Sequence, residues 1–323
     1  MDIVFVILHY MTTDITKKAI EHINENCDTP NYRIIVVDNA SPNDSYSELR
    51  NWEGLDDKVI LIQNEENLGF AKGNNVGIQY AKQRFHPRFI AVINNDVYIT
   101  ERNLFHKLQD EYRESKFAVA GPKIWQKTKE GEQDDTANPH ILNLATIKFT
   151  KYAIKSAKYD YFWSKMRMYE IARRVRRLAS KLHIIGWPEH PKLPIDDQTD
   201  VKEEPLSSRK LYNVGLFGCC FFLSEEYIKN YDGFDERTFL YGEEEVLLLH
   251  MLADGKKMVY LPDIEVFHVG HAATNAVDGN KKIDKLFYSI KSLEVILDIQ
   301  EKYKKEHGRE LYKEICKKSA NIS

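Results

Sequence analysis

The stretch "AVINNDVYI", residues 91–99, decides how the fold is interpreted. Its apolar start predicts a buried strand, and that strand ends in Asn94, Asn95 and Asp96 before the apolar pattern resumes. Burying even a neutral polar group without a partner costs about 2–7 kcal/mol. We therefore expect Asp96 to have a partner. A divalent cation is one candidate, and the backbone of a following loop that Asp96 caps is the other.

Short β-rich runs alternate with amphipathic stretches over about the first 120 residues. This alternation is typical of an α/β fold, with a mostly parallel central sheet flanked by helices. The strand candidates are 3–8, 33–38, 58–63 and 89–94, and the helix candidates are 14–25, 44–52 and 71–83.

Three of these strand candidates end in polar residues. Ligands of such sheets bind beyond the carboxyl ends of the strands. A single polar end would indicate no more than the start of a loop, whereas three that converge favour a binding site. The three ends are His9 with Tyr10, Asp38 with Asn39, and Asn94 to Asp96.

The composition sets limits on the class of protein. A net charge of -3 gives no indication of a nucleic-acid partner, and we expect none. The four cysteines form no C-x-x-C pair, which predicts reduced thiols and a cytoplasmic setting. The apolar run 3–8 is too short for a signal peptide, and no stretch approaches the ~18 apolar residues of a membrane span.

The region from 127 to about 210 has a different pattern, with polar, proline-bearing stretches that predict loops. Between them, residues 161–182 predict one basic amphipathic helix, with seven basic residues and one acid. Such a helix can lie on an anionic membrane surface, or it can pack its stripe on the core and leave the basic face solvated. Both interpretations stay open. The stripe is Met168, Ile171, Val175, Leu178 and Leu182, and the basic face is Arg173, Arg174, Arg176, Arg177 and Lys181.

The core-like pattern returns at Asn213. The stretches "VGLFGCCFFLS" (214–224), "MVYLP" (258–262) and "IEVFHVG" (264–270) predict three strands. A long amphipathic helix follows from about Ile283 to Leu297.

A second acidic site lies in "FDERTFLYGEEEV", residues 234–246. Glu243, Glu244 and Glu245 open a helix, where the helix dipole stabilises carboxylates by about 0.3–1 kcal/mol. The helix dipole accounts for one or two of these three glutamates. The aromatic and glycine residues that precede them favour a position in which one carboxylate faces a pocket. His268 ends an apolar strand. Its imidazole suits a metal, although a lone strand histidine is more often a core residue with satisfied hydrogen bonds.

The glycines of "NLGFAKGNNVG", residues 67–77, do not form a dinucleotide-binding motif. That motif needs G-x-G-x-x-G directly after the first strand, and the first strand here runs into His9 and Tyr10. A hydride-transfer enzyme is therefore disfavoured. The glycines instead permit close approach of the backbone to a ligand.

The motifs of this chain, and their order along it, resemble those of the inverting glycosyltransferases of family 2. The resemblance is strongest to the bacterial rhamnosyltransferase-like branch that builds surface polysaccharides. The resemblance covers residues 1–125 and 213–275. The motifs that carry it are "VVDNAS", "NLGFAKGNN", "INNDV", "GCCFFLS", "YDGFDERTFLYGEEE" and "YLPDIEVFHVGH".

The resemblance implies a GT-A type nucleotide-sugar-binding fold with a helical insertion, and Mn²⁺ or Mg²⁺ as cofactor. Asn94 stands at the first position of the family's D-x-D motif, and Glu244 stands at the Asp of its Glu-Asp pair. Which of Glu243, Glu244 and Glu245 is the base therefore stays open. The implied roles are donor binding for His9, Tyr10, Asp38, Asn67, Gly69, Lys72, Asn94 and Asn95, metal binding for Asp96 and His268, and catalysis for Glu244 with Glu243.

The resemblance also implies a division of the chain. Residues 1–125 would bind the nucleotide sugar, 126–212 would be the insertion, 213–275 would hold the acceptor and catalytic half, and 276–323 would form a C-terminal helical segment.

The implied reaction moves a sugar from a dTDP-rhamnose or UDP-hexose type donor to a saccharide or lipid-linked saccharide acceptor. It would occur in the cytoplasm or at the inner face of the cell membrane. Two alternatives are a sugar-nucleotide-binding protein without turnover and a sugar nucleotidyltransferase. The latter usually has a glycine-rich basic loop after the first strand, which "LHYMTTD" (8–14) lacks.

Overall fold

The computed structural model describes residues 1–127, 133–134, 138–140, 144–171, 173–175, 206–270 and 281–318. The strands are β1 (Ile3–His9), β2 (Tyr32–Asp38), β3 (Val59–Gln63), β4 (Phe89–Asn94), β5 (Val97–Ile99), β6 (Val119–Lys127), β7 (Gln133–Asp134), β8 (Leu211–Tyr212), β9 (Cys220–Ser224) and β10 (Met258–His268). The helices are α1 (Thr13–Asn26), α2 (Ser45–Arg50), α3 (Gly69–Phe85), α4 (Leu104–Ser115), α5 (Ile147–Lys165), α6 (Glu225–Asn230), α7 (Glu243–Ala253) and α8 (Lys281–Lys318), which kinks at Gly308.

The described strands form one mixed sheet, in which the main order is β3-β2-β1-β4-β9-β6-β10-β5. The strands β1 to β4 pair in parallel, as the sequence predicts. β9 lies antiparallel between β4 and β6, so the second half of the sheet is mixed. The predicted α/β class is confirmed.

Both faces of the sheet are covered, which explains why β1 is a continuous apolar run. Val4 and Val6 face one apolar cluster with residues of α3, while Ile3, Phe5 and Ile7 face a second cluster with residues of α1. Alternate side chains of a strand point to opposite faces, so a strand between two helical layers needs apolar residues at every position. Each fully buried aliphatic side chain contributes about 1.5–3 kcal/mol.

Two predicted strands differ from those observed. The strand expected from 214 begins only at Cys220, because the amides of Phe217 and Gly218 donate to side chains of Asn138 and Glu244. The two strands expected over 258–270 are the single strand β10, whose register against β6 shifts between Leu261 and Glu265. This register shift includes Pro262, which has no amide hydrogen to donate to a neighbouring strand.

The basic helix expected over 161–182 is also different. Helix α5 starts earlier, at Ile147, and ends at Lys165. Arg167 has φ 56°, and the amides of Arg167 and Met168 donate to Ser164 and Trp163, which is a Schellman-type helix end. Residues 169–171 and 173–175 are helical again. The predicted residues Arg176, Arg177, Leu178, Lys181 and Leu182 lie outside the described residues.

None of the helices that the structure describes is long and apolar enough to cross a lipid bilayer.

Candidate active site

The polar ends of three strands meet at one edge of the sheet. His9 lies beside Asp38 in the β1–β2 register, and Leu8 lies beside Asn94 in the β1–β4 register. Because the strands are parallel, their carboxyl ends share this edge, where ligands of such sheets bind.

The side chain of His9 is fully buried behind this edge. Its Nδ1 lies 2.7 Å from Thr16 Oγ1, and its Nε2 lies 3.0 Å from Ser45 Oγ. Burial lowers the pKa of His9 to about 4, despite the nearby Asp38 carboxylate, so the ring is neutral at pH 7. His9 thus ties the starts of α1 and α2 to the strand ends, while the next residue, Tyr10, is partly exposed.

Asp38 is buried and oriented by its neighbours. Its carboxylate accepts from the Ser41 hydroxyl at 2.5 Å and from the Gln63 side-chain amide at 3.4 Å. These contacts hold the carboxylate at the end of β2, where the resemblance implies a nucleoside contact.

Asn39, which the sequence analysis gave no role, organises the loop before α3. Its Oδ1 accepts from the backbone of Leu68 at 3.0 Å and from the side chain of Asn64 at 3.1 Å. Its Nδ2 donates to Asn67 Oδ1 at 3.0 Å and to the carbonyl of Gly69 at 3.2 Å. The available signal was its place as a second polar residue at a strand end.

The loop at Gly69 packs against the segment that leads into α7. Gly69 has φ +77°, and a Cβ there would lie 2.4 Å from the carbonyl oxygen of Phe239. That same oxygen accepts from the Phe70 amide at 2.8 Å. Two motifs that are distant in sequence are thus joined, with Lys72 exposed on the first turn of α3.

Asn75 makes a second connection between the same two regions. Its side-chain amide is buried and both accepts from the amide of Phe234 at 2.7 Å and donates to the carbonyl of Phe234 at 2.9 Å. It also donates to Glu236 at 3.1 Å. The loop that precedes α7 is therefore fixed on α3.

Asp96 and His268 are brought together by tertiary structure. The antiparallel pairing of β5 with β10 places Val97 beside His268, and His268 Nε2 lies 3.3 Å from Asp96 Oδ1. Both residues are more than nine-tenths buried. The other ring nitrogen of His268, Nδ1, has no hydrogen-bond partner among the described residues.

The geometry of this pair fits two ligands of one cation. Ligand atoms on an octahedral cation lie about 3 Å apart, since each is about 2.1 Å from the metal. The described residues contain no group of three or more His, Cys, Asp or Glu side chains that could hold a metal. Asp96 and His268 would therefore need phosphate or water oxygens to complete the coordination, as Mg²⁺ and Mn²⁺ sites commonly do.

The two asparagines before Asp96 differ in their surroundings. Asn95 is buried and donates to the hydroxyls of Thr12 at 2.7 Å and Thr16 at 2.9 Å, so its side chain is directed to the start of α1. Asn94 is partly exposed, and its amide donates to the carbonyl of Cys219 at 2.9 Å.

Glu244 contacts Gly218, the residue next to the Cys219 that bonds to Asn94. Its carboxylate accepts from the amide of Gly218 at 3.2 Å, and a Cβ on Gly218 would lie only 2.7 Å from that oxygen. Burial raises the pKa of the Cys219 thiol, and the charges of Asp96 and Glu244 both add to that shift. Cys219 thus lies within electrostatic reach of both acidic positions.

Glu243 and Glu245 have different environments from Glu244. Burial, with the Glu244 charge, raises the pKa of each to about 7. One carboxylate oxygen of each has no hydrogen-bond partner among the described residues. Glu243 borders a cavity of about 160 Å³ together with Asp235 and His250, and neither Asp96 nor Glu244 lines it.

A partly buried hydrogen-bond network connects α7 to the segment before it and to α8. His250 Nε2 lies 2.9 Å from Asp235, and His250 Nδ1 lies 2.7 Å from the hydroxyl of Tyr303 on α8. Burial alone would raise the pKa of Asp235, but the hydrogen bonds from Arg237 and His250 hold it well below its usual range. The sequence analysis missed this network because its members are spread over three segments.

Comparison with known proteins identifies a family and the fold. The family described as Glycosyl transferase family 2 matches residues 4–174, more than half of the chain. The low-salt glycan biosynthesis hexosyltransferase Agl10 of Haloferax volcanii is 27% identical over 123 residues, which are 38% of this chain and 36% of that protein. The match thus spans about a third of that curated relative.

Solved structures of low sequence identity also align with this chain, and the one with a TM-score of 0.50 shows a similar fold. GalNAc-T7 with UDP, GalNAc and Mn²⁺ is 12% identical, with a TM-score of 0.50, over 83% of this chain and 44% of that chain. TarS 1–349 of S. aureus in complex with UDP-GlcNAc is 13% identical, with a TM-score of 0.49, over 90% of this chain and 65% of that chain.

Proposed function

This chain belongs to glycosyltransferase family 2, and from this premise we propose that it transfers a sugar, with inversion, from a nucleotide-diphosphate sugar to a saccharide or lipid-linked saccharide acceptor. One observation carries the proposal. Gly218 and Cys219 are consecutive, and their backbone bonds to Glu244 and to Asn94, two residues before Asp96. A single short segment thus connects the proposed donor side with the proposed base.

The donor would lie at the carboxyl ends of β1, β2 and β4. Asp38, at the end of β2, and the loop that Asn39 holds around Asn67 and Gly69 are the parts proposed to contact the nucleotide and its diphosphate. The structural neighbour GalNAc-T7 was crystallised with UDP, GalNAc and Mn²⁺, which supports a ligand of this class. A dTDP-rhamnose or UDP-hexose type donor remains the proposal.

Asp96 and His268 are the residues that would hold Mn²⁺ or Mg²⁺. When bound there, the cation would neutralise negative charge on the leaving nucleotide diphosphate. The single carboxylate of Asp96 suits this role, because the diphosphate brings oxygen ligands and negative charge of its own.

Glu244 is the proposed general base. The acceptor oxygen forms its bond to the anomeric carbon while the bond from that carbon to the diphosphate oxygen breaks, and the acceptor proton passes to the Glu244 carboxylate. Positioned proton transfer of this kind contributes about 10²–10⁴-fold to a rate. The Gly218 amide orients the Glu244 carboxylate, whereas the raised pKa values of Glu243 and Glu245, about 7, keep a large fraction of each protonated near pH 7.

The proposed setting is surface polysaccharide synthesis at the cytoplasmic face of the cell membrane. A lipid-linked acceptor would be presented there, while the nucleotide sugar is delivered from solution.

The test separates binding of the donor from turnover. Calorimetry with UDP-glucose, UDP-N-acetylglucosamine and dTDP-rhamnose, with and without Mn²⁺, should give metal-dependent binding of at least one donor to the wild-type protein. Asp96→Asn should remove the metal dependence. Glu244→Gln should keep donor binding and lose slow donor hydrolysis, while the matched change Glu245→Gln on the same helical turn should keep both.

Three results would count against the proposal. Absence of binding for all three donors would remove its basis. Equal metal-dependent binding by wild type and Asp96→Asn would refute the role of Asp96. Donor binding without any hydrolysis by the wild-type protein would favour a sugar-nucleotide-binding protein without turnover.

A further inference from the structure

Large apolar side chains are exposed at the end of α5 and just beyond it. Their exposed fractions lie between 40% and 59%, although single exposed apolar residues are the usual case on a soluble protein. Contiguous apolar exposure of this kind marks an interaction site. These side chains are Phe162, Met166, Met168, Ile171 and Val175.

Basic residues are interleaved with them. Lys165, Arg167, Arg173 and Arg174 are exposed, and Glu170, the one acid among residues 165–175, lies 3.8 Å from Arg173. Earlier on α5, Lys151 and Lys158 form ion pairs of 2.6 and 2.7 Å with glutamates of α8. Residues 165–175 therefore have an excess of three positive charges beside the exposed apolar side chains. We call residues 162–175, as far as they are described, the apolar–basic surface.

A small cavity opens within this surface. Its volume is about 220 Å³, and Arg167, Met168 and Ile283 are among the residues that line it. Ser164 also lines it and is buried, and its hydroxyl has no hydrogen-bond partner among the described residues. Glu170 also lines the cavity, so its lining holds one acidic and one basic side chain.

We infer that the apolar–basic surface binds a bilayer that contains anionic phospholipids. The exposed apolar side chains match the acyl boundary, and the excess of basic residues matches anionic headgroups. The turn at Met166 and Arg167 lies between the end of α5 and the helical residues 169–171, and both kinds of side chain are exposed on either side of it. A partner protein or a second copy of the chain would match the apolar part but leave the basic residues without a defined counterpart.

Tyr161, the residue just before the surface, is linked by ring contacts to the segment that leads into α7. The ring of Tyr161 lies 6.2 Å from Phe287 of α8, Phe287 lies 5.5 Å from Tyr288, and Tyr288 stacks on Phe239 at 4.7 Å. Phe239 is four residues before Glu243. These ring contacts connect α5, beside the surface, with the segment before α7. The inference itself does not depend on the proposed sugar transfer.

Cosedimentation with vesicles tests the inference. The full chain is mixed with vesicles of phosphatidylcholine alone or with 30% phosphatidylglycerol, a composition chosen so that about one lipid in three is anionic. We expect wild-type protein to pellet with the anionic vesicles and to be released at high salt. Arg173→Glu/Arg174→Glu should lower the apparent affinity by about tenfold or more, and Phe162→Ser/Ile171→Ser should lower it comparably.

Matched controls keep the result interpretable. Lys18→Glu/Arg50→Glu makes the same charge change on exposed residues of α1 and α2, and Tyr80→Ser removes an exposed ring on α3; all should pellet like wild type. Circular dichroism establishes that each variant is folded.

Failure of wild type to pellet with anionic vesicles, or equal pelleting by the surface variants, overturns the inference. A dimer that Phe162→Ser/Ile171→Ser dissociates, without vesicle binding, would assign the surface to a second copy instead. Donor binding is measured by calorimetry on the same samples. Protein that binds a donor but no vesicles would contradict only this inference, and protein that binds vesicles but no donor would contradict only the proposed sugar transfer.

Discussion

The amide of Gly218 donates a hydrogen bond to the carboxylate of Glu244 across 3.2 Å, and a Cβ on Gly218 would lie only 2.7 Å from that carboxylate oxygen. The next residue, Cys219, accepts from the amide of Asn94 at the end of β4. The position of the proposed base is therefore set by the same backbone that borders the proposed donor site.

Gly218→Ala should displace Glu244 without removing it. The new Cβ would lie 2.7 Å from Glu244 Oε1, so the flexible end of the glutamate must move. We expect kcat to fall by up to about 100-fold, because misplacement of a catalytic group by about 1 Å can cost that much. Donor KM should change little. Steady-state kinetics of donor hydrolysis measure the split.

The same substitution offers a rescue. Adding Glu244→Asp shortens the side chain by one methylene and makes room for the new methyl group. Partial recovery of kcat in the double variant is expected, and a double variant slower than both single variants would contradict the positional role of Gly218.

Gly69→Ala should destabilise the protein and weaken donor binding. The position has φ +77°, which costs an L-residue about 1–2 kcal/mol, and the new Cβ would also meet the Phe239 carbonyl oxygen at 2.4 Å. Gly255→Ala is the matched control, since it has φ +65° but nothing within 4 Å of its Cβ. Urea unfolding should give a larger loss for Gly69→Ala, and equal losses would show that the contact with Phe239 is unimportant.

Glu245 should make stability fall as pH rises. Its pKa is about 7 in the folded protein and near 4.5 ordinarily, so between these values the folded state retains a proton that the unfolded state has lost. The stabilisation is complete below about pH 4.5 and is lost as pH rises through 7. Glu245→Gln should therefore be more stable than wild type at pH 8 by about 1–3 kcal/mol.

The measurement is the difference in unfolding free energy between Glu245→Gln and wild type at pH 5 and pH 8. Taking a difference removes the effect of His9, whose lowered pKa gives the opposite trend as pH falls from 6.5 to about 4. A difference that does not change with pH would contradict the raised pKa of Glu245.

His250→Phe should loosen α7 from α8. It removes hydrogen bonds to Tyr303 and Asp235 and leaves buried polar groups behind, which costs about 1–3 kcal/mol. Tyr303→Phe removes one of the same bonds, so the two changes should not be additive. Chemical denaturation of the single and double variants tests this, and strict additivity would indicate that the two side chains act independently.

Much of the first half of the fold follows from local pattern. Runs such as Ile3–Leu8 and Phe89–Ile93 are strands because every position is apolar and the sheet is covered on both faces. The structure places β1 and β4 within a residue of the predicted bounds. The convergence of His9, Asp38 and Asn94 also follows, since parallel strands end at one edge.

Other features could not be predicted in this way. The helix over 161–182 was interpreted as continuous because its apolar spacing continues, yet a Schellman-type turn at Arg167 ends α5 at Lys165. Helical periodicity reports which face is apolar, but backbone hydrogen bonds at a helix end decide where the helix stops.

The sequence by itself determined the class of residues at the candidate site: a strand-end aspartate, a histidine at the end of a later strand, and glutamates that open a helix. Only the tertiary structure decided their partners. The pairing of β5 with β10 brings Asp96 next to His268, and the Gly218 amide donates a hydrogen bond to Glu244, the middle one of three adjacent glutamates. The physical reason is that the type of each side chain is a local property of the sequence. Hydrogen bonds of about 3 Å between residues far apart in the chain form only once the sheet has formed and the backbone is fixed.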